Sequence, residues 1–479
     1  MVVEAIKRIL PKGLMARGVS VLAGSNALGQ AIALLVSPLL TRLYTPEDFG
    51  MLAIYMSLTT ILGVLVCLRY EMAIVLPEDD TEGATLAILS LVCVLLTTLV
   101  TAIGLYFFGD ELTSLLSTPQ MKPFLWALPL SVFLLGMFTA FRYWAIRQNA
   151  YGQIGQARIK QVLGSVLVQI VAFPLGALGL IGGQLANQGV GSFSLGKRFL
   201  SRPDIRSVTV SKLWYAARRY KHLPLISVWA GLLNRTSAQL PALMFAALFG
   251  PAVAGFYALA TRVVNTPAGV MSGALSSVLF SSAASAHRQG GLGELARKTH
   301  RHLVVVALPP LLLLALISPQ LFEWVFGAQW TQSGLFAQWV VISVYFSITV
   351  APLVMIFTVV EKQSHDFVFQ ALLVVTRFGM IMWGAHLGSP LMAIAMYCVG
   401  SAVCYMIMLF WLAHLVGEGA SMVLEPLLVS AVIAVLTSAP VLISQFLDAS
   451  LLVTLLAVAV SAFLVAVHIY RQLRLSYKT

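Results

Sequence analysis

The stretch ATLAILSLVCVLLTTLVTAIGLYFF, residues 84–108, contains no charged residue and decides the class of fold. As a helix it is long enough to cross a bilayer, which takes about 20 apolar residues. Similar runs recur along a chain of 479 residues, of which 59% are hydrophobic and only 10% are charged. Soluble proteins carry about 25% charged residues. So few charges exclude a water-soluble globule and predict an all-α integral membrane protein.

Charged residues, Pro and Gly divide the apolar runs into about fourteen predicted transmembrane helices. Their approximate ranges are 19–40, 50–68, 84–108, 124–141, 161–177, 178–195, 225–249, 254–280, 303–318, 336–360, 367–386, 390–416, 427–447 and 450–470. The sixth is the least hydrophobic, because Gly, Gln and Asn interrupt it. It therefore needs neighbouring helices to bury its polar face.

A short motif recurs in the two halves of the chain. Residues 44–50 read YTPEDFG and residues 249–255 read FGPAVAG, so both follow the pattern aromatic-x-Pro-x-x-x-Gly. The offset of six predicted helices is even, so the two halves would share one membrane topology. We therefore expect two pseudo-symmetric six-helix bundles plus two C-terminal helices.

This organisation predicts a series of segments with different roles. They are a cytoplasmic N-tail (1–18), an N-terminal six-helix lobe (19–196), a basic cytoplasmic linker (197–224), helices 7–11 of the C-terminal lobe (225–386), helix 12 (390–416), an extra helix pair (427–470) and a cytoplasmic C-tail (471–479). The substrate site is expected between the lobes, as in transporters built from repeats.

The distribution of basic residues orients the chain. With the N-terminus inside, 25 Lys and Arg residues lie on cytoplasmic segments, and the outer loops hold only Arg42 and Lys122. Because Lys and Arg are enriched on the inner side of membranes, we expect both termini in the cytoplasm. The basic loop 197–221 is interpreted as an orientation signal near anionic lipid, with a partner-docking site as the alternative. No feature indicates a nucleic-acid partner.

The sequence offers no chemistry of catalysis or of cofactor binding. Cys67, Cys93, Cys398 and Cys404 lie in or at the edges of apolar runs and form no CxxC motif. A disulfide framework and a metal site are therefore not supported. The histidines lack ligand spacing, and neither a P-loop nor a nucleophile motif occurs. We expect no cofactor, no metal and no catalytic residue, and hence no enzyme.

Three arginines lie inside predicted helices 7, 8 and 11, namely Arg235, Arg262 and Arg377. A charge near the bilayer centre costs ~2.5 to 3.5 kcal/mol on insertion scales. No Asp or Glu lies inside a predicted span to offset this cost. A guanidinium stays charged and fits phosphate oxygens, so the three are candidates to bind pyrophosphate in an aqueous cavity. Alternatively, they bond to backbone carbonyls at kinks or extend towards the interface.

Neutral polar residues in the first helix of each half are candidate contacts to sugar hydroxyls. Asn26 and Gln30 are four residues apart in helix 1, and Arg235 and Gln239 are four apart in helix 7, beside Asn234. Residues at this spacing share one helix face. The alternative is ordinary hydrogen bonding between helices.

Five charged residues at predicted helix ends are candidates for gating. They are Arg42, Glu47, Asp48, Arg69 and Glu71. Water reaches helix ends, so these side chains are expected either to form inner and outer gate ion pairs or to be solvated loop residues.

Several segments resemble a known family. They are RLYTPEDFG (42–50), RYEMAIVLP (69–77), GPAVAGFYAL (250–259) and FGAQW (326–330). They resemble signatures of bacterial polysaccharide or O-antigen flippases, in the multidrug/oligosaccharidyl-lipid/polysaccharide exporter superfamily, over about residues 17 to 380.

The resemblance implies translocation of undecaprenyl-pyrophosphate-linked oligosaccharide repeat units across the bacterial inner membrane by alternating access. The product would be O-antigen, capsule or exopolysaccharide. The partners implied are the lipid-linked oligosaccharide, the lipid bilayer, a polysaccharide polymerase and a chain-length regulator.

Two other functions remain open from the sequence. A cation-coupled multidrug antiporter of the same fold would need a membrane-embedded carboxylate, and this chain has arginines instead. A polysaccharide polymerase or ligase would be expected to have a large outer loop, whereas the longest one predicted here is 319–335.

Overall fold

The computed structural model describes residues 14–201, 208–360 and 362–476, and within these ranges the chain forms helices and turns without a β-strand. Each of the fourteen predicted segments overlaps one long helix, but the predicted tenth, 336–360, is interrupted: its long helix ends at Val350, and a turn separates it from a short helix, Met355–Val359. The helices are α1 (Leu14–Leu43), α2 (Pro46–Leu62), α3 (Asp80–Leu115), α4 (Ala127–Arg147), α5 (Tyr151–Val171), α6 (Ala177–Leu200), α7 (Val228–Phe249), α8 (Pro251–Gln289), α9 (Leu292–Phe326), α10 (Thr331–Val350), α11 (Gln363–His386), α12 (Pro390–Leu415), α13 (Ser421–Phe446) and α14 (Leu451–Ser476).

The predicted class of fold is confirmed. Within the described ranges, nine helical segments are long and apolar enough to cross a membrane, judged by length and composition. A total of fourteen crossings stays a prediction. The predicted N-tail before residue 14, the middle of the linker at 202–207 and the last residues of the C-tail lie outside the described ranges.

Several helices extend beyond the ends predicted from hydropathy. The predicted connection 142–160 is wrong as a loop, because α4 continues to Arg147 and α5 begins at Tyr151. Only a tight turn separates them, with Asn149 at φ +53°. Backbone hydrogen bonding continues through charged residues, whereas the hydropathy signal stops at the first of them. Arg142 and Arg158 therefore lie inside helices.

The predicted second helix ends earlier than expected. α2 stops at Leu62, and Leu68 and Arg69 adopt left-handed backbone conformations with φ of 48° and 66°. Such conformations are uncommon for residues other than glycine. They redirect the chain into a 3₁₀ helix, Tyr70–Val75, which leads to α3.

The predicted basic linker contains a helix of its own, Val210–Arg219, which we call the linker helix. Its Ala216 is buried, and Leu213 and Ala217 pack against the same hydrophobic core as Tyr70 and Trp144. The linker helix is thus fixed to the helices that precede it in the chain.

The chain divides into two compact units, residues 1–258 and 259–479. In the first, large aromatic side chains such as Phe141, Trp144 and Phe199 form a core near the predicted inner ends of the helices, and α7 packs on α2. In the second, a core surrounds Phe357 and Met408. The lobe boundaries drawn from the sequence, with α7 in the second lobe, stay a prediction.

The two copies of the repeated motif contact each other within the first unit. Pro46 and Pro251 each begin a helix, α2 and α8. A Cβ on Gly50 would overlap the Pro251 carbonyl, and a Cβ on Gly255 would overlap the Pro46 carbonyl. Each glycine therefore permits the backbone of the other copy to approach closely, and the contact is reciprocal.

Candidate functional site

The first unit gathers three arginines and a carboxylate near the predicted inner ends of its helices. Arg69 precedes the 3₁₀ helix that carries Glu71, Arg142 lies in α4 and Arg158 in α5. Arg69 and Arg142 lie close enough to Glu71 to stabilise its carboxylate, and Arg142 lies close enough to Arg158 to repel it. We call these four residues the arginine cluster.

Arg147 fixes the segment that carries Arg69 and Glu71. Its guanidinium donates to the carbonyl oxygens of Ile74 at 3.0 Å and Pro77 at 2.6 Å, and its Nε donates to Asp80 Oδ1 at 3.0 Å. The Arg147 side chain is only 7% exposed. Since a guanidinium offers five donors in a rigid fork, one side chain binds several turns of the connection between α2 and α3.

The arginine cluster has hydrogen-bonding capacity that the described part of the chain does not use. The Nε atoms of its three arginines and one carboxylate oxygen of Glu71 are buried without a hydrogen-bond partner. Each buried polar group without a hydrogen-bond partner lowers the free energy of unfolding by about 1–3 kcal/mol. The phenyl ring of Phe138 and the ring of Tyr143 lie 6.0 and 5.5 Å from the Arg142 guanidinium.

Glu71 differs from its prediction as a water-accessible residue at a helix end. It is only 6% exposed, because the left-handed turn at Leu68 and Arg69 directs it inward. Burial raises the pKa of its carboxyl above the ordinary value, and the attraction of Arg69 and Arg142 opposes this change without cancelling it. With Glu71 ionised, the cluster still carries a net charge of about +2 at neutral pH.

The cluster adjoins α7, on which Arg235 was predicted. The Arg69 guanidinium lies against Gly231, where a Cβ would overlap its Nη2 atom. Gly231 is one helical turn before Arg235, so both lie on the same face of α7. Arg235 and Asn234 are exposed. The structure thus brings Arg69 to the face of α7 that carries Arg235.

Gln239, the third predicted residue of α7, has a partner in the first unit. Its side-chain oxygen accepts a hydrogen bond of 3.0 Å from the Ser57 hydroxyl of α2. This is the interhelical role given above as the alternative to binding sugar.

The cluster also adjoins α1. Arg158 lies against Gly29, with its Nε 3.6 Å from the position of a Cβ there. Asn26 and Gln30 are exposed, and each directly follows a residue of α1, Ser25 or Gly29, that contacts α5. The two amides therefore flank the contact between α1 and α5.

In the second unit, Arg377 of α11 has neutral polar partners on α12. Its Nε donates to Ser401 Oγ at 3.3 Å and its Nη2 to the Tyr405 hydroxyl at 3.2 Å. The Tyr397 ring lies 5.7 Å from the guanidinium carbon. These contacts hold the Arg377 side chain against α12. Arg262 in α8 is half-buried.

The predicted gate residues show no ion pair with one another within 4.0 Å in the described chain. Arg42 and Glu47 are exposed. Asp48 closes a capping box at the start of α2, where it accepts hydrogen bonds from the Thr45 amide at 3.0 Å and hydroxyl at 2.9 Å. Satisfying this helix end accounts for Asp48 locally. The gate pairs stay a prediction.

The sequence reasoning missed Arg142 and Arg158, because it placed both in a loop. A signal was present: Ile154, Ala157 and Gln161 follow a helical spacing and are all buried. This periodicity extends α5 well upstream of the apolar run and includes Arg158.

Within the described residues no group of His, Cys, Asp and Glu side chains is arranged to hold a metal ion. All four cysteines are buried with free thiols.

Comparison with protein families and curated proteins gives consistent matches. Residues 39–334 match the model of a family described as "Polysaccharide biosynthesis protein". The succinoglycan biosynthesis transport protein ExoT of Rhizobium meliloti (strain 1021) is 23% identical over 389 residues, which cover 81% of this chain and 77% of that protein. The resemblance seen in the sequence is thereby confirmed.

Solved structures share the fold. A structure of the lipid II flippase MurJ in an inward closed conformation superposes with a TM-score of 0.77 at 10% identity, covering 94% of this chain and 99% of that one. An inward-facing multidrug resistance MATE family transporter gives 0.64 at 15% identity, covering 81% and 94%. At such identities the likeness establishes the fold alone.

Proposed function

We propose that this chain, which belongs to the polysaccharide biosynthesis protein family, is a flippase for undecaprenyl-pyrophosphate-linked oligosaccharide repeat units. It would move them across the bacterial inner membrane by alternating access, both termini being cytoplasmic, to supply surface polysaccharide. Its relatives carry the names of a polysaccharide transport protein and a lipid flippase, which supports transport rather than catalysis.

The observation that carries this proposal is the arginine cluster. Arg69, Arg142 and Arg158 hold buried Nε donors without partners. Arg69 and Arg142 lie near the Glu71 carboxylate, and Arg158 lies near Arg142. A pyrophosphate offers several anionic oxygens, and a guanidinium binds such oxygens through paired hydrogen bonds while always keeping its charge. The headgroup of the lipid-linked substrate would satisfy these donors and offset the positive charge.

The remaining predicted residues extend the proposed site. Arg235 is proposed to contact the pyrophosphate. In the second unit, considered by itself, Arg262 and Arg377 are proposed as further phosphate-binding residues. The exposed amides of Asn26, Gln30 and Asn234 are proposed to contact sugar hydroxyls, with Gln239 holding α7 to α2. Gating is proposed for Arg42, Glu47 and Asp48 at the outer ends, and for Arg69 and Glu71 at the inner ends.

The buried carboxylate argues against the antiporter alternative. Among the described side chains, Glu71 is the one buried acid, and two arginines stabilise its charge. A cationic drug approaching it would meet net positive charge and be repelled. An anionic headgroup would be attracted.

Complementation of surface-polysaccharide export tests the proposed site. Arg142→Gln and Arg158→Gln should each reduce export strongly, because a hydrogen bond to a charged group contributes about 1.5–3 kcal/mol, or roughly ten- to a hundredfold in affinity. Arg142→Lys should retain partial export, since it keeps the charge but loses the fork. Arg288→Gln, an exposed arginine of the second unit, serves as the matched control. Full export by normally expressed Arg142→Glu and Arg158→Glu variants would rule out the cluster as the anion site.

Reconstitution tests the reaction. Purified protein in liposomes should move lipid-linked oligosaccharide between leaflets and leave its covalent structure unchanged, as measured by leaflet-selective labelling and mass spectrometry. A shortened, elongated or dephosphorylated product would place the protein among the enzymes.

A further inference from the structure

The linker helix carries an exposed stripe that no contact within the described chain covers. Val210, Trp214 and Arg218 lie four residues apart, so they occupy one helix face. Val210 and Trp214 are 83% and 73% exposed. A different face, with Ala216 and Tyr220, is buried against the helices of the first unit. The helix is therefore held in place while it presents an apolar pair followed by basic side chains.

The chain places this stripe close to the membrane surface. Only a few residues after Arg219, a turn of π-helix, Leu223–Ser227, leads directly into α7. Leu225, Ile226 and Trp229, at the entry to α7, are large apolar residues exposed to the surroundings. A helix joined so closely to a predicted span must lie near the depth where that span leaves the bilayer.

We propose that the linker helix binds anionic phospholipid headgroups of the cytoplasmic leaflet. Trp214 and Val210 enter the boundary between headgroups and acyl chains, where aromatic side chains favour insertion. Arg218 and the exposed Lys221 bind the phosphates. The linker segment 197–221 contains eight Lys and Arg residues, and its one acid is Asp204, so its charge complements an anionic surface and repels a basic one.

The attachment of the linker helix connects this lipid surface to the arginine cluster. The Tyr70 hydroxyl donates a 3.1 Å hydrogen bond to the Ala217 carbonyl of the linker helix, and Tyr70 stands between Arg69 and Glu71 in the chain. Arg219 forms a 2.7 Å ion pair with Glu82 at the start of α3. A lipid-bound linker helix therefore helps to hold the segment that carries two members of the cluster. The consequence that export depends on anionic lipid rests on the proposed function.

The lipid contact is measured without any substrate. A single cysteine replaces the exposed Ser211 in a variant lacking the four native cysteines, and is labelled with an environment-sensitive nitrobenzoxadiazole fluorophore. Nanodiscs contain phosphatidylcholine alone or with phosphatidylglycerol. We expect emission to shift to the blue, and quenching by lipids with a nitroxide near the headgroup to increase, when phosphatidylglycerol is present.

Two variants and a matched control identify the stripe as the cause. Trp214→Ser should leave the label in a more polar environment, with emission at longer wavelength, in both kinds of nanodisc. Arg218→Gln with Lys221→Gln should abolish the difference in emission between nanodiscs with and without phosphatidylglycerol. Arg288→Gln with Arg297→Gln removes two exposed charges from the second unit and should leave the shift unchanged. Equal emission in the two lipids, or an equal loss in the control, overturns the proposal. So does a label that stays exposed to water in nanodiscs but is shielded in native membranes, because that result assigns the surface to a protein partner.

Transport in liposomes of the same two compositions then separates this proposal from the proposed function. A lipid shift without any flipping in either composition contradicts the proposed function and leaves the lipid surface intact. Flipping that is severalfold faster with phosphatidylglycerol, and equal in both lipids for Arg218→Gln with Lys221→Gln, is the expected result. Flipping that depends equally on lipid in wild type and variant overturns the coupling through the linker helix.

Discussion

At the scale of a single residue, the buried carboxyl of Glu71 makes the stability of the fold depend on pH. Burial raises its pKa above the ordinary value of 4.5, so ionising it costs folding free energy. The protonated carboxyl of Glu71 contributes to the free energy of unfolding. This contribution is complete below about pH 4.5 and is lost as the pH rises through the raised pKa. In thermal unfolding in detergent, the melting temperature of the wild type should therefore fall relative to Glu71→Gln as the pH increases above about 4.5.

Asp79 provides the control of opposite sign. Hydrogen bonds from Thr81 lower the pKa of this exposed carboxyl, so its contribution is present at neutral pH and lost on acidification. The difference between wild type and Asp79→Asn should thus change with pH in the reverse direction. If wild type and Glu71→Gln show parallel pH profiles, Glu71 is not held in a costly ionised state.

A second prediction at this scale concerns the side chain of Arg147. Arg147→Ala removes the donors to the carbonyls of Ile74 and Pro77 and the ion pair with Asp80, and leaves the two partly buried carbonyls without this partner. We expect a loss of about 3 kcal/mol in the free energy of unfolding. Lys298→Ala, which breaks the exposed pair with Glu294, should cost only about 0.3–0.5 kcal/mol. The free energies of unfolding of the two variants are measured with a mild denaturant in mixed micelles. Similar losses for both would show that Arg147 does not stabilise the connection between α2 and α3.

At the scale of elements, the repeated motif brings the starts of α2 and α8 into close reciprocal contact. Gly50→Ala and Gly255→Ala place a methyl group on the carbonyl oxygens of Pro251 and Pro46. Because these are backbone atoms, the first turns of α2 and α8 must separate, at a cost of about 1–3 kcal/mol.

Gly104→Ala in α3 is the matched control for this contact, because nothing lies within 4 Å of a Cβ there. It should preserve or slightly raise stability, as alanine favours helix over glycine. Melting temperatures and the yield of folded, monodisperse protein measure the difference. Wild-type behaviour of both motif variants would show that the helix starts can separate freely.

The sequence predicts the long helices well, because the energetic signal for each is local. Runs such as 84–108 are apolar enough to identify a helix by themselves, and each has its counterpart in the structure. Their ends are predicted less well, since hydrogen bonding extends α4 past Arg142 after hydropathy has dropped. The left-handed turn at Leu68 and Arg69 has no glycine to signal it.

The candidate site is only partly predictable for a related reason. Arg235 could be proposed from its depth in a single apolar run. The arginine cluster combines residues from α4, α5 and the connection after α2, and their proximity depends on tertiary packing that no local pattern encodes. The side chains of Arg69 and Arg158 lie against Gly231 and Gly29, and these contacts likewise cannot be predicted from the sequence alone.

At the scale of the whole molecule, the charge asymmetry survives the correction of the helix ends. Arg142 and Arg158 move from a predicted inner loop into helices, but both stay within about two turns of the predicted inner ends of α4 and α5. The excess of basic residues therefore remains on the predicted inner side, and the predicted orientation is unchanged.

Cysteine labelling tests that orientation for the complete chain. In a variant lacking the four buried native cysteines, single cysteines at Ser117 and Gln332 should react with an impermeant maleimide in intact cells. A cysteine at Ser211, exposed on the linker helix, should react only after permeabilisation. The reason is the bias of 25 basic residues on predicted inner segments against two on outer loops, Arg42 and Lys122.

Because Ser117 and Ser211 are separated by α4, α5 and α6, an odd number of crossings places them on opposite sides. Labelling of both from outside would mean that one of these helices does not cross the membrane, and the inner position of the arginine cluster would then have to be abandoned.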